Sequence, residues 1–155
     1  MKKLNLIVFT LLIFFANNVH SQEKQNDATV EETINWLNEF AIKNMINNNS
    51  QIKKPLSFST SKSGLKYHYA KSEYDVEQVS LDFIKDKTFK LKTSSYDGTY
   101  IVNIYGESYN TLYGIFRFGT NKDYALRTFK AFQHLFYLLE WKVECINELV
   151  DENKF

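Results

Sequence analysis

TFKLKTSSYDGTYIVNIY, residues 88–105, decides the fold. Phe89 and Leu91 alternate with Lys90 and Lys92, the pattern of an antiparallel strand with one face buried and one face wet. Asp97-Gly98 follows, a dipeptide that accepts the positive φ angles of a two-residue hairpin turn. Beyond it, Tyr100-Ile101-Val102-Asn103-Ile104-Tyr105 is dense in the β-branched and aromatic residues that suit a strand. Two strands joined by two residues must run antiparallel, so a sheet built around this hairpin is mainly antiparallel.

The same period extends outward. Pro55 opens PLSFST, and proline is tolerated at a strand start. Ser63-Gly64 marks a turn before Leu65, Tyr67 and Tyr69, which alternate with Lys66 and His68; Val79, Leu81 and Phe83 form a third alternating set. Gly106 to Asn110 reads as a turn and Leu112 to Phe118 as the last strand. Helical spacing brackets this run. Thr29-Val30-Glu31-Glu32 is a capping box, and Val30, Ile34, Leu37, Ala41 and Met45 recur behind it, with Trp36 and Phe40 widening the apolar face. Asn47 to Ser50 stops this first helix. Thr120 or Asn121 caps the second, and the stretch from Lys122 to about Leu149 holds neither glycine nor proline. Its apolar face runs through Ala125, Phe129, Phe132, Phe136, Val143 and Ile146, which predicts one long helix across the sheet. The expectation is an α+β domain: an N-terminal helix, an antiparallel sheet of about five to six strands, and a long C-terminal helix packed on it.

The front of the chain reads as a leader. Lys2 and Lys3 precede the apolar run Leu4 to Ala16, and Val19 and Ser21 stand at −3 and −1 of a cleavage point before Gln22. The run is about 13 residues, too short to cross a bilayer, so no membrane span is expected in the mature chain. Residues 1–21 are therefore read as a signal peptide, 22–28 as a loose lead-in, 29–150 as a single domain and 151–155 as a frayed tail. The destination is export, periplasmic or secreted. Without Lys2 and Lys3 the 19 basic residues become 17 against 18 acidic ones, which leaves no field to attract nucleic acid. Cys145 is the single cysteine, so no disulfide within the chain is possible.

Catalytic patterns are sparse. His68 and His134 follow the leader, with no paired-cysteine or H-E-x-x-H spacing, and nothing points to a metal. Cys145 and His134 are 11 apart on the expected helix and cannot meet within it, so Cys145 reads as packing. Among Glu31, Glu32, Asp75, Glu77, Asp82, Asp86 and Asp97 no pair stands out for glycoside chemistry. The five glycines form no phosphate-binding loop and no G-x-S-x-G elbow exists, so no cofactor is implied. Two surface features remain. Lys85, Lys87, Lys90 and Lys92 form the densest basic run, an ordinary wet strand face that would also take an anionic polymer or headgroup. Tyr96, Tyr100, Tyr105, Tyr109 and Tyr113 crowd one hairpin region; packing accounts for most, and exposed ones would stack on sugars or on a partner protein.

Thr33-Ile34-Asn35-Trp36-Leu37-Asn38 and Ala131-Phe132-Gln133-His134-Leu135, together with a leader ending Ser21-Gln22, resemble small exported proteins of Bacteroidota that carry no assigned activity. The strand run closed by a helix also looks like a pleckstrin-homology-like half-barrel, which implies a fold and no function. The expected role is a non-enzymatic binding or interaction domain of the cell envelope. Its contact surface is Tyr100, Tyr105, Tyr109, Tyr113, Lys90 and Lys92, and its partner an envelope protein, glycan or lipid. The alternative is a small hydrolase or lyase using His68, or an envelope lipid or headgroup binder, which would show an internal apolar cavity or an exposed basic rim.

Overall fold

The computed structural model describes residues 27–47, 54–61, 64–70, 76–81, 88–106 and 111–149. The expected leader and tail, and Asp75, Asp82, Lys85, Asp86, Lys87 and Tyr109, lie outside them. Helix α1 is α-helical over Val30–Trp36, widens to a π-helix over Leu37–Ala41 and closes with a turn over Ile42–Asn44. Its start is the expected capping box: Glu32 N–H donates to Thr29 Oγ1, and Thr29 N–H donates to Glu32 Oε2 at 2.7 Å. Strands β1 (Pro55–Ser61), β2 (Gly64–Ala70) and β3 (Val76–Ser80) form a three-stranded antiparallel sheet. Strands β4 (Phe89–Tyr96), β5 (Thr99–Gly106) and β6 (Leu112–Arg117) form an antiparallel meander. The β4–β5 turn is the expected one, with φ of 50° at Asp97 and 70° at Gly98. Helix α2 (Lys122–Leu138) follows, capped by Asn121 Oδ1 on the Tyr124 N–H. The architecture is α+β, with two helices and seven strands in two sheets among the described residues.

The seventh strand corrects the expectation of a helix to Leu149. β7 (Val143–Asn147) pairs parallel with β4, giving the order β6-β5-β4-β7. The helix ends because the chain turns through Glu140, held at φ 57°. Trp141 N–H reaches the Phe136 carbonyl at 2.9 Å and Glu140 N–H the Tyr137 carbonyl at 3.0 Å, the two bonds of a Schellman closure. The Trp141 ring stacks on Phe136 at 5.4 Å, supplying the apolar contact that accompanies such closures. Val143 and Ile146, read as helix positions, are strand positions, and Cys145 lies on the edge strand.

Both sheets and α2 share one core. Phe132 on α2 meets Phe58 of β1 edge-on at 5.5 Å and Phe116 of β6 face-on at 5.1 Å. The chain of rings continues through Phe136 to Phe89 and Trp141, and through Phe116 to Tyr67. Leu65, Leu81, Leu91 and Ile104 fill the space between. The buried residues of α1 are Thr33, Ile34, Leu37 and Ala41, with Met45 just beyond. Its wide turn keeps Leu37 and Ala41 on the core while Trp36 and Phe40 stack at 4.5 Å on the flank facing α2.

Two sheet edges are covered by side chains or loop backbone. The Asn38 amide pairs with Phe58 in the manner of a neighbouring strand, Oδ1 accepting from the Phe58 N–H at 2.6 Å and Nδ2 donating to its carbonyl at 3.0 Å. On β6, the Ile46 N–H donates to the Arg117 carbonyl and the Tyr67 hydroxyl to the Tyr113 carbonyl.

Glu140 pays a left-handed backbone cost that glycine would not. Glu140→Gly is therefore expected to stabilise the fold by roughly 0.5–1 kcal/mol in urea unfolding. Trp141→Ala, which removes the closing contact and a core ring, is expected to cost about 3 kcal/mol. Equal and small effects of both would contradict this account of where the helix stops.

Candidate functional site

The face of the four-stranded sheet turned away from α2 carries three of the expected contact residues. Along β4, Phe89, Leu91 and Thr93 point to the core, so Lys90 and Lys92 point away from it. Lys90 lies opposite Tyr105 on β5, and Asn103 lies opposite Lys92. The lysines are ion-paired to β7 and to the residue just after it: Lys90 Nζ is 3.3 Å from Glu144 and Lys92 Nζ is 2.8 Å from Glu148. Asn103 is only 3% exposed and its Oδ1 has no hydrogen-bond partner among the described residues; the same holds for Arg117 Nε. Tyr100 is turned the other way. It lies opposite Ser95 on the same face as Val102 and packs on the core, and Tyr113 also packs on the core. Tyr109 lies outside the described residues. The six residues do not form one patch.

His68 stands in a cross-strand row between Ser57 on β1 and Gln78 on β3. Ser57 Oγ is 3.2 Å from Nδ1 and Gln78 Oε1 is 3.2 Å from Nε2. Since the amide oxygen can only accept, Nε2 carries the proton and Nδ1 is free to accept from the serine hydroxyl. This row lies on the side of the sheet opposite Tyr67, away from the core. Cys145 is half-buried, and burial pushes its thiol pKa up, the reverse of what an activated nucleophile needs. Among the described residues no three His, Cys, Asp or Glu side chains gather as a metal site would require, and no helix is long and apolar enough to cross a membrane.

A cleft of about 600 Å³ opens between α1 and α2, lined by Asp27, Ala28, Thr33 and Trp36 on one side and Arg127 and Lys130 on the other. Its volume falls in the range of small-molecule sites. The walls are built from the sequence upward. His134 Nε2 donates to the Ala28 carbonyl at 2.7 Å, fastening the start of α1 to α2. The Arg127 guanidinium lies over Phe40 at 4.1 Å and over Trp36 at 5.7 Å. Tyr124 meets Phe40 edge-on at 5.4 Å. Asp123 is 3.9 Å from Arg127, a solvent-exposed pair that contributes little, so the rings do most to orient the guanidinium. Glu32 also lines the cleft, but its carboxylate is engaged by the Thr29 N–H and hydroxyl, which hold its pKa below the usual range.

No part of this arrangement stood out as a site in the sequence. Trp36 and Phe40 read as the apolar face of the first helix, and Arg127, Lys130 and His134 simply fall within the expected last helix. The signal that could have found it is an aromatic pair four residues apart on one helix together with a cation stripe on the other helix of the described residues.

No family model matches the chain, nor does any curated protein or solved structure.

Tyr67 provides a pH test of the layer joining β2 to β6. Burial, and then the nearby Tyr69, raise its phenol from an ordinary 10.0 to about 12. A raised folded-state value means that its contribution is complete below pH 10 and is lost as pH climbs through 12. Urea midpoints should therefore fall across that window, and Tyr67→Phe should flatten the fall. An unchanged slope in the variant would show that another group carries the transition.

Proposed function

We propose that the chain is an exported, non-enzymatic binding domain of the cell envelope, and that the α1–α2 cleft takes an acidic sugar unit of an envelope glycan. The observation that carries this reading is the guanidinium of Arg127 fixed on Trp36 and Phe40 at the mouth of a small-molecule-sized cleft. Arg127 and Lys130 suit a carboxylate or sulfate, Asp27 suits sugar hydroxyls, and the indole offers the apolar surface on which sugar rings pack. The core filled by Phe58, Phe116, Phe132 and Phe136 favours a ligand held at the surface over a lipid held inside. Lys90, Lys92 and Tyr105 remain a second contact face for a larger glycan or a protein, with the lysine charges already offset by Glu144 and Glu148.

Intrinsic tryptophan fluorescence provides the test, because Trp36 lines the cleft while Trp141 is 8% exposed. Titration with glucuronate-containing oligosaccharides should change the emission, and neutral oligosaccharides of equal length should not. Arg127→Ala is expected to weaken binding about tenfold or more, as loss of a hydrogen bond to a charged group does. Equal responses to acidic and neutral sugars, or an unaffected Arg127→Ala, would remove the cleft from the reading.

A second reading rests on one contact. Ser57 Oγ at 3.2 Å from His68 Nδ1 supplies a hydroxyl and an imidazole base within reach, the minimum for nucleophilic hydrolysis. It predicts covalent labelling of Ser57 by a fluorophosphonate, lost in His68→Ala. Absence of labelling in the unmodified protein would dismiss it.

A further inference from the structure

The four-stranded sheet ends on β7, and only half of that strand's backbone is used. Phe89 N–H donates to the Lys142 carbonyl at 3.2 Å. In the parallel ladder that continues from this bond, Glu144 and Ile146 direct their N–H and C=O groups toward β4. Val143, Cys145 and Asn147 therefore direct theirs outward, where they meet no partner among the described residues. The contrast with β1 and β6 is plain. Asn38 occupies the backbone of Phe58, and Ile46 and Tyr67 take the Arg117 and Tyr113 carbonyls. Among the described residues nothing comparable covers β7.

We propose that β7 pairs antiparallel with β7 of a second copy, centred on Cys145, joining two four-stranded sheets into one across a two-fold axis. Strand addition at an open edge is a common recognition mode, and a two-fold requires the edge to complement itself. This edge does so in one register. With Cys145 opposite the partner's Cys145, the outward groups of Val143, Cys145 and Asn147 face one another and make about six inter-strand hydrogen bonds. On the face of Lys90 and Lys92, Glu144 lies beside the partner's Ile146, so no glutamate faces another. At the two ends Lys142 lies opposite the partner's Glu148, a pairing of opposite charges repeated by symmetry. Moving the centre to Glu144 sets that glutamate against itself, and moving it to Ile146 sets Glu144 against the partner's Glu148. Both alternatives place like charges in direct cross-strand contact, which is destabilising.

Light scattering on the purified protein tests the pairing. A mass twice that of one chain is expected. Lys142→Glu and Glu148→Lys should each weaken the dimer about tenfold, since each exchanges two attractive end contacts for two repulsive ones. Mixing the two variants should restore a dimer, because every end contact in the mixed pair again joins opposite charges. Cys145 reports the register: directly opposite each other in a hydrogen-bonded antiparallel pair, the two side chains lie on one face with Cβ atoms about 5.5 Å apart, too far for an unstrained disulfide and within reach of a short bis-thiol linker. A short-armed bismaleimide should therefore add one Cys145 thiol across each of its two double bonds and form a covalent dimer. A protein that stays monomeric at millimolar concentration overturns the proposal. So does a dimer indifferent to both substitutions, or one that yields no Cys145 cross-link.

Discussion

Phe132 is the point on which the three layers meet. Its ring, carried by α2, lies edge-on to Phe58 from the three-stranded sheet and parallel to Phe116 from the four-stranded sheet. Phe58 and Phe116 also meet each other, at 5.7 Å, so the three rings close a triangle. Each such contact adds about 0.5–1.5 kcal/mol to the burial of the rings themselves. The larger effect is geometric. Rings of this size tolerate few arrangements at interior packing density, so the triangle fixes how far apart the sheets lie and how α2 crosses them. A core completed in this way leaves the open space to the gap between α1 and α2.

The strand region was legible because its signals are local. Asp97-Gly98 adopts the two positive φ angles that its side chains permit, and Phe89-Lys90-Leu91-Lys92 alternates in the structure as it does in the sequence. The capping box at Thr29 and Glu32 is equally local. The end of α2 was hidden because nothing punctuates it. Glutamate at position 140 is an ordinary helix former, and it turns left-handed only because Trp141 gains a place against Phe136 and Phe89. That is tertiary packing overriding propensity. One hidden boundary then concealed a second fact. Glu144 and Glu148, assigned to a helix, could not be seen as the partners of Lys90 and Lys92, so those lysines looked like free cations.

The site had a different obstacle. Trp36, Phe40 and Arg127 lie on two helices separated by the whole strand region, and no spacing rule connects them. Only the docking of α1 on α2, secured by His134 on the Ala28 carbonyl, brings them together. The π-helical turn contributes here as well. It carries the Trp36–Phe40 stack beside Arg127 without withdrawing Leu37 and Ala41 from the core, so one short helix serves both surfaces.

The parallel strand at the end of the sheet has a consequence for the order of events in making the protein. β4 is followed directly by its partner β5 on one side, but its other side waits for Val143–Asn147, which emerge only after β6 and α2. Hairpins and the meander can assemble while the chain is still growing; this long-range closure cannot. Until it happens, Leu91 and Thr93 lack their cross-strand neighbours Cys145 and Asn147, and the ion pairs of Lys90 with Glu144 and of Lys92 with Glu148 cannot form. The growing chain thus carries β4 with one side unpaired until a segment about fifty residues further along docks on it.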